Sequence, residues 1–185
     1  MKAAAILEVS ETKAIIEELE QQGNDLVADV CRVMAVCLLR VSDAINLRYS
    51  DFERGTLKIV EQKTGKKKEI ENLPASILAM VANRRAAYPK DTFIFAGKGN
   101  RCKKDTPVSR VYVSTSIKKV ATKLGIEGTI SAHSFRKYGA TQVLDKTRDL
   151  AQVSDLLNHT NFQSTKAYLK LSAKSAGIAV SHIEI

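Results

Sequence analysis

The stretch SAHSFRKYGATQVL, residues 131–144, reads as a helix with Ser131 at its N-cap. It holds His133 and Arg136 three positions apart, which on a helix makes them neighbours one turn apart. Further on, NHTNFQSTKAYLKL, residues 158–171, sets His159 nine positions before Tyr168. Two short helices, about Asp149–Leu157 and Gln163–Leu171, flank that spacing.

Upstream the pattern stays helical. Ser10 reads as the cap of a helix to about Gln21, with Ile15, Ile16 and Leu19 on one face and Gly23 as its stop. LVADVCRVMAVCLL, within about Asp25–Leu39, is too apolar for a surface helix and fits a central core helix. Arg40 follows at once, and Ser42 offers a cap for a short helix holding Asp43, Ile45 and Leu47. The period then changes. TLKIVEQ (56–62) alternates apolar and polar, and KTGKKKEIENL supplies a turn and a second strand. Thr64-Gly65 sits near the hairpin tip, with Lys63, Lys66, Lys67 and Lys68 around it. Pro74 opens a helix to about Ala87, TFIF (92–95) is a short extended piece, and GKGNRCKKDTP (97–107) is a basic loop. A helix from about Ser109 to Leu124 stops at Gly125, and AVSHIEI at the end reads as a strand without a local partner. The expected class is mainly α with a small antiparallel β-sheet, an α+β domain.

Composition sets bounds. At 185 residues and 44% hydrophobic content the chain is one domain with a real core. It has no apolar run of about 18 residues, so no membrane span is expected. The apolar patch before Glu8 is too short for a secretory signal, and a cytoplasmic, intracellular protein is expected. Cys31, Cys37 and Cys102 form no CxxC pair and are odd in number, which fits reduced structural thiols better than disulfides or zinc ligands. The net charge is +9, yet residues 1–30 hold seven carboxylates against Lys2 and Lys13, so that segment carries −5 and the remainder +14. So lopsided a field favours a polyanionic partner.

Four groups stand out in order: Arg40 after a buried helix in LLRVSDAINL, Lys63 in the EQKTGK hairpin, the HxxR pair His133/Arg136, and His159 with Tyr168. Each alone is unspecific, since HxxR recurs by chance and a KTGK hairpin is usually a polar turn. As an ordered set over roughly residues 10–171 they resemble the catalytic domain of the tyrosine recombinases, the phage integrase family. The EQKTG hairpin and the terminal HIEI are most like members of the phage lambda type. The departures are Leu39 where the family usually has Gly before the first arginine, Asp43 where it has Glu, and Asn158 where it has Gly before the late histidine. Asn can also adopt left-handed backbone angles. Most members carry a separate DNA-clamping domain ahead of the catalytic one. The sequence shows none, which implies a catalytic-domain fragment or a naturally short recombinase. The division expected is a catalytic domain over 1–171 and a tail over 172–185 that docks as a strand in cis or in trans.

The resemblance implies a bacterial or phage-encoded enzyme that cleaves and rejoins DNA strands without metal, ATP or any cofactor. Attack on a phosphodiester builds negative charge on two non-bridging oxygens, and two guanidiniums, here Arg40 and Arg136, grip such oxygens as planar forks. Tyr168 would be the nucleophile, leaving a 3′-phosphotyrosyl link and a free 5′ hydroxyl. His133 would take its proton or hold the phosphate, His159 would donate to the phosphate, and Lys63 would protonate the leaving oxygen. Asp43 would orient Arg40, with a structural role as the equal alternative. Lys66, Lys67, Lys68, Lys98, Arg101, Lys103, Lys104, Lys118 and Lys119 are candidate contacts to backbone phosphates, which position a duplex without reading its sequence. The partners implied are double-stranded DNA and, during recombination, a homotetramer on two duplexes, the isolated domain being a monomer. An inactive DNA-binding module of the same fold and a relaxing topoisomerase remain the alternatives.

Overall fold

The computed structural model describes residues 4–99, 103 and 105–169. Five helices form the body: α1 (Val9–Gln21), α2 (Asp25–Val36), α4 (Ala75–Ala87), α5 (Arg110–Lys123) and α6 (Ala132–Thr147). Three short ones, α3 (Val41–Ile45), α7 (Leu150–Leu156) and α8 (Phe162–Tyr168), carry the corners. One antiparallel sheet, in the order β1 (Phe52–Glu53), β2 (Thr56–Val60), β3 (Lys67–Ile70), completes the domain. The α+β class expected from the sequence is therefore correct. A two-residue strand is too short to show alternation, so β1 escapes the reading.

Helix α2 is the central helix, with Val27, Ala28, Val30, Cys31, Val33 and Met34 all buried. It packs on α1, α3, α4, α5 and α6. The backbones of α2 and α6 come close at Gly139, where an added Cβ would lie 1.8 Å from the carbonyl oxygen of Ala35. Only a glycine lets these backbones touch there. Burial pushes the thiols of Cys31 and Cys37 up, the latter to about 12, in keeping with packing rather than reactivity.

Several boundaries move for local reasons. Glu8, not Ser10, caps α1, its N–H donating to the Glu11 carboxylate at 2.8 Å. Helix α2 ends at Val36 because Leu38 turns left-handed at φ 50, so Arg40, not Ser42, becomes the N-cap of α3. The glycine-like backbone near the first arginine thus falls on Leu38 rather than Leu39. TFIF makes only an isolated bridge, Phe93 to Arg48. Asn161 caps α8 by accepting from the Ser164 N–H at 2.8 Å, which starts that helix at Phe162. The expected end at Leu171 and the tail 172–185 lie outside the described residues.

The core comes in two parts. The large one surrounds α2. The small one joins Leu38, Ala140, Val153, Leu157 and Leu169, with Tyr168 packed against it. Helices α7 and α8 belong to the small part, and Arg136 of α6 reaches across to it by donating to the Leu157 carbonyl.

Candidate active site

Arg40 stands in the turn between α2 and α3. Its Nη1 pairs at 2.7 Å with Oε2 of Glu61, a carboxylate with no solvent exposure. Thr64 Oγ1 donates to the same Glu61 oxygen at 2.6 Å. Burial by itself would raise the Glu61 pKa, but the hydrogen bonds from Thr64 and Arg40 hold it below the usual value. Of the two roles expected for Asp43, orienting Arg40 or a structural one, its hydrogen bond fits the structural one. Its Oδ1 accepts the Gln62 N–H at 2.9 Å and so anchors the hairpin backbone. The arginine's carboxylate partner is Glu61, one strand away.

Helix α6 brings His133 and Arg136. Arg136 is 3% exposed, and its Nη2 donates to the Leu157 carbonyl at 2.9 Å. His133 stands at the helix start with its ring accessible to solvent. Its pKa is lowered, first by loss of hydration on its packed side and then by Arg136, Arg40, Lys137 and Lys63. Lys63, on the exposed hairpin tip, is thus within electrostatic reach of His133.

The hairpin contributes more than its tip. Period two puts Leu57 and Ile59 on the inward face of β2, and Lys68 stands opposite Ile59 on β3. Lys68 is 6% exposed, and its ammonium donates to the carbonyls of Leu38, at 3.4 Å, and Leu156. Burial lowers its pKa to about 8, helped by Arg136 and Arg40 and opposed by Glu61 and Cys37.

The short helices supply the last two groups. Asn158, left-handed at φ 55 as its side chain permits, turns the chain from α7 into His159. His159 Nδ1 lies 3.0 Å from Thr165 Oγ1, and its ring meets Tyr168 edge-on, centroids 5.6 Å apart at 85°. Burial, Arg136 and Arg40 lower the His159 pKa to about 4, so the ring is neutral at pH 7. Tyr168 closes α8 with the Arg136 guanidinium 6.0 Å and the Lys137 ammonium 5.3 Å from its ring centre. Its hydroxyl is buried and finds no hydrogen-bond partner among the described residues. Burial raises its pKa to about 12, while Arg136 and Arg40 pull the other way. Both arginines therefore act on Tyr168, His159 and His133 at once, and the sequence-separated groups share one site.

The profile of the Phage integrase family matches residues 5–175. The chain belongs to the phage integrase family. It is 32% identical over 144 residues to tyrosine recombinase XerC of Rhodospirillum centenum, covering 75% of this chain and 40% of that protein. The chain thus spans about half or less of the length of the curated relatives it matches, 51% in the case of XerA of Pyrococcus furiosus. Its fold is that of the catalytic domain of bacteriophage HP1 integrase, with a TM-score of 0.66 at 15% identity over 97% of this chain and 95% of that one. It also matches a lambda integrase dimer bound to a COC' core site, TM-score 0.74 at 19% identity, over 91% of this chain and 49% of that one.

For a phage integrase chain, the expected phosphate-contacting surface needs correction. Lys68 is buried and points inward, so it is no candidate for a DNA contact. Lys66 is half-buried and donates to the Asn158 carbonyl at 3.4 Å. Lys98 pairs with Asp91 and lies 4.0 Å from the centre of the Tyr88 ring. Lys67, Lys103, Lys118 and Lys119 are exposed, and Arg101 and Lys104 lie outside the described residues. Among the described residues no helix is long and apolar enough to cross a membrane. Glu61 is the residue beside the candidate site that the sequence reading missed, and Lys68 is one it named for the DNA-facing surface although the fold buries it. The signal was present: Glu61 continues the Leu57–Ile59 phase, and Lys68 shares its phase with Ile70.

Proposed function

We propose that this chain is the catalytic domain of a site-specific DNA recombinase that breaks and rejoins strands through a 3′-phosphotyrosyl intermediate. The observation that supports the reading is that His159 and Arg136 lie against the Tyr168 ring, at 5.6 Å and 6.0 Å from its centre, with Arg40 in electrostatic reach of Tyr168 and both arginines in reach of His133. Arg40 and Arg136 supply fixed positive charge where the pentavalent phosphorus gathers negative charge, usually the largest catalytic term. Neutral His133 has a free lone pair to take the phenolic proton. The shift of Tyr168 to about 12 makes an unassisted phenolate scarce, so the attack depends on those cations and on a base. Lys63, exposed on the hairpin, serves as the acid for the leaving 5′ oxygen. Asp43 and Glu61 hold hairpin and arginine in register.

The substrate is double-stranded DNA, bound through the exposed basic residues. Recombination proceeds in a homotetramer on two duplexes, and the lambda integrase dimer on its core site supports DNA-templated pairing of protomers. The reading is tested by incubating the protein with supercoiled plasmid and with nicked duplexes, then denaturing. A protease-sensitive covalent adduct that vanishes in Tyr168→Phe, with gel-shift binding kept, is expected. DNA binding without any adduct would instead identify an inactive module. Plasmid relaxation regardless of sequence would identify a topoisomerase.

A further inference from the structure

Lys68 is an unusual residue to bury. Desolvating an ammonium costs several kcal/mol, and a well-packed apolar side chain of similar volume is often as stable or more so. Its position on an inward phase beside Ile59 and Ile70 would suit a methionine. Its two acceptors say what the charge achieves instead. The Leu38 carbonyl belongs to the left-handed turn two residues before Arg40. The Leu156 carbonyl ends α7, three residues before His159. One ammonium therefore ties together the two backbone segments that present Arg40 and His159, at the edge of the small core where Leu38 and Leu156 both pack. Two further contacts run the same way from the start of β3. Asn158 Nδ2 donates to the Lys67 carbonyl at 3.2 Å, and Lys66 Nζ reaches the Asn158 carbonyl at 3.4 Å.

We infer that Lys68 is a positioning residue, a strut whose ammonium sets the spacing between the Arg40 turn and the His159 turn and registers both against the hairpin that carries Lys63. It touches no substrate. It acts through the backbone, fixing the gap that the scissile phosphate enters, and so it deepens the recombinase reading and rests on it. Removing the strut leaves the apolar contacts of Leu38 and Leu156 in place but frees the Arg40 turn and the His159 turn to shift against each other.

The test compares wild type with Lys68→Met, which keeps the apolar stem, and Lys68→Arg, which can still donate to both carbonyls. Lys68→Gln replaces Lys68→Met if the latter does not fold. In adduct formation on nicked duplexes, Lys68→Met should be slower by about 100-fold, the scale of a misplacement near 1 Å, with gel-shift affinity unchanged. Lys68→Arg should recover most of that rate. In hydrogen exchange, Lys68→Met should speed exchange in residues 38–42 and 156–160 together, and in few others. A wild-type rate in Lys68→Met, or faster exchange in only one segment or neither, would overturn the inference. If wild type itself forms no adduct, the recombinase reading falls, while the exchange comparison still decides whether Lys68 couples the two turns.

Discussion

A carboxylate with no solvent exposure, set 2.7 Å from a guanidinium, fixes where that guanidinium can point. Glu61 leaves Arg40 oriented with its remaining donors available, and shares an oxygen with the Thr64 hydroxyl beside Lys63. Breaking such a pair strands a charge, so Glu61→Ala should lower unfolding stability by about 3 kcal/mol, read from urea denaturation. A midpoint at the wild-type value would show that Arg40 needs no such partner. His159 carries a pH prediction. Its folded pKa is near 4, below the unfolded value, so the unfolded chain binds more protons between the two. The contribution of neutral His159 is then complete above about pH 6.5 and disappears as pH falls toward 4. Denaturation at pH 7, 5.5 and 4.5 should show a steeper acid loss in wild type than in His159→Gln. Parallel curves would refute the depressed value. At this scale the sequence displayed its chemistry unevenly: the HxxR pair and Tyr168 could be named outright, whereas the arginine's partner fell to Asp43 because three residues on a short helix looks closer than a strand away.

At the scale of elements, the decisive packing is α2 against α6. Gly139 stands one turn from Arg136 and lies against Ala35, near the end of the helix that leads to Arg40. That crossing sets how far apart the two arginines begin. A methyl group at residue 139 would overlap a backbone oxygen that cannot yield, so Gly139→Ala should cost about 3 kcal/mol or more and depress adduct formation even under conditions where it folds. Thermal melts within about 2 °C of wild type would show that the helices can separate freely. Helix propensity argues against a mid-helix glycine by about 1 kcal/mol. The sequence reading passed over Gly139, and which helix it approaches is invisible without the fold. The hairpin was legible in period and turn, and so was the burial of Glu61 and Lys68 once strand phase is extended past the last apolar residue. Charge masked that phase, because a lysine run is ordinarily a solvated face.

Across the whole molecule, the charge of +9 is distributed against an acidic first helix pair, and part of the positive set is committed internally. Arg40, Lys68 and Arg136 are bonded internally, and Arg32, Lys98 and Lys123 are paired with carboxylates. The exposed lysines left for the duplex should still neutralise about six phosphates, giving a log–log salt slope near −5, measured by gel shift across salt. Lys67→Gln should flatten that slope by about one, and Lys68→Met should leave it alone. A slope change in Lys68→Met would return that residue to the DNA-facing surface.

By itself the amino-acid order determined the class of fold, the central apolar helix, the hairpin and the candidate nucleophile with its arginines and histidines. The fold class, the helix and the hairpin follow from local periodicity and capping, which act over a few residues, while the nucleophile with its arginines and histidines followed from the resemblance of the ordered set to the phage integrase family. The tertiary structure alone decided that Glu61 and not Asp43 holds Arg40, that Lys68 spans two turns instead of meeting DNA, and that Tyr168 rests with its hydroxyl buried. Each depends on residues far apart in the chain meeting across packed interfaces, and the desolvation that sets their charges exists only once those interfaces close.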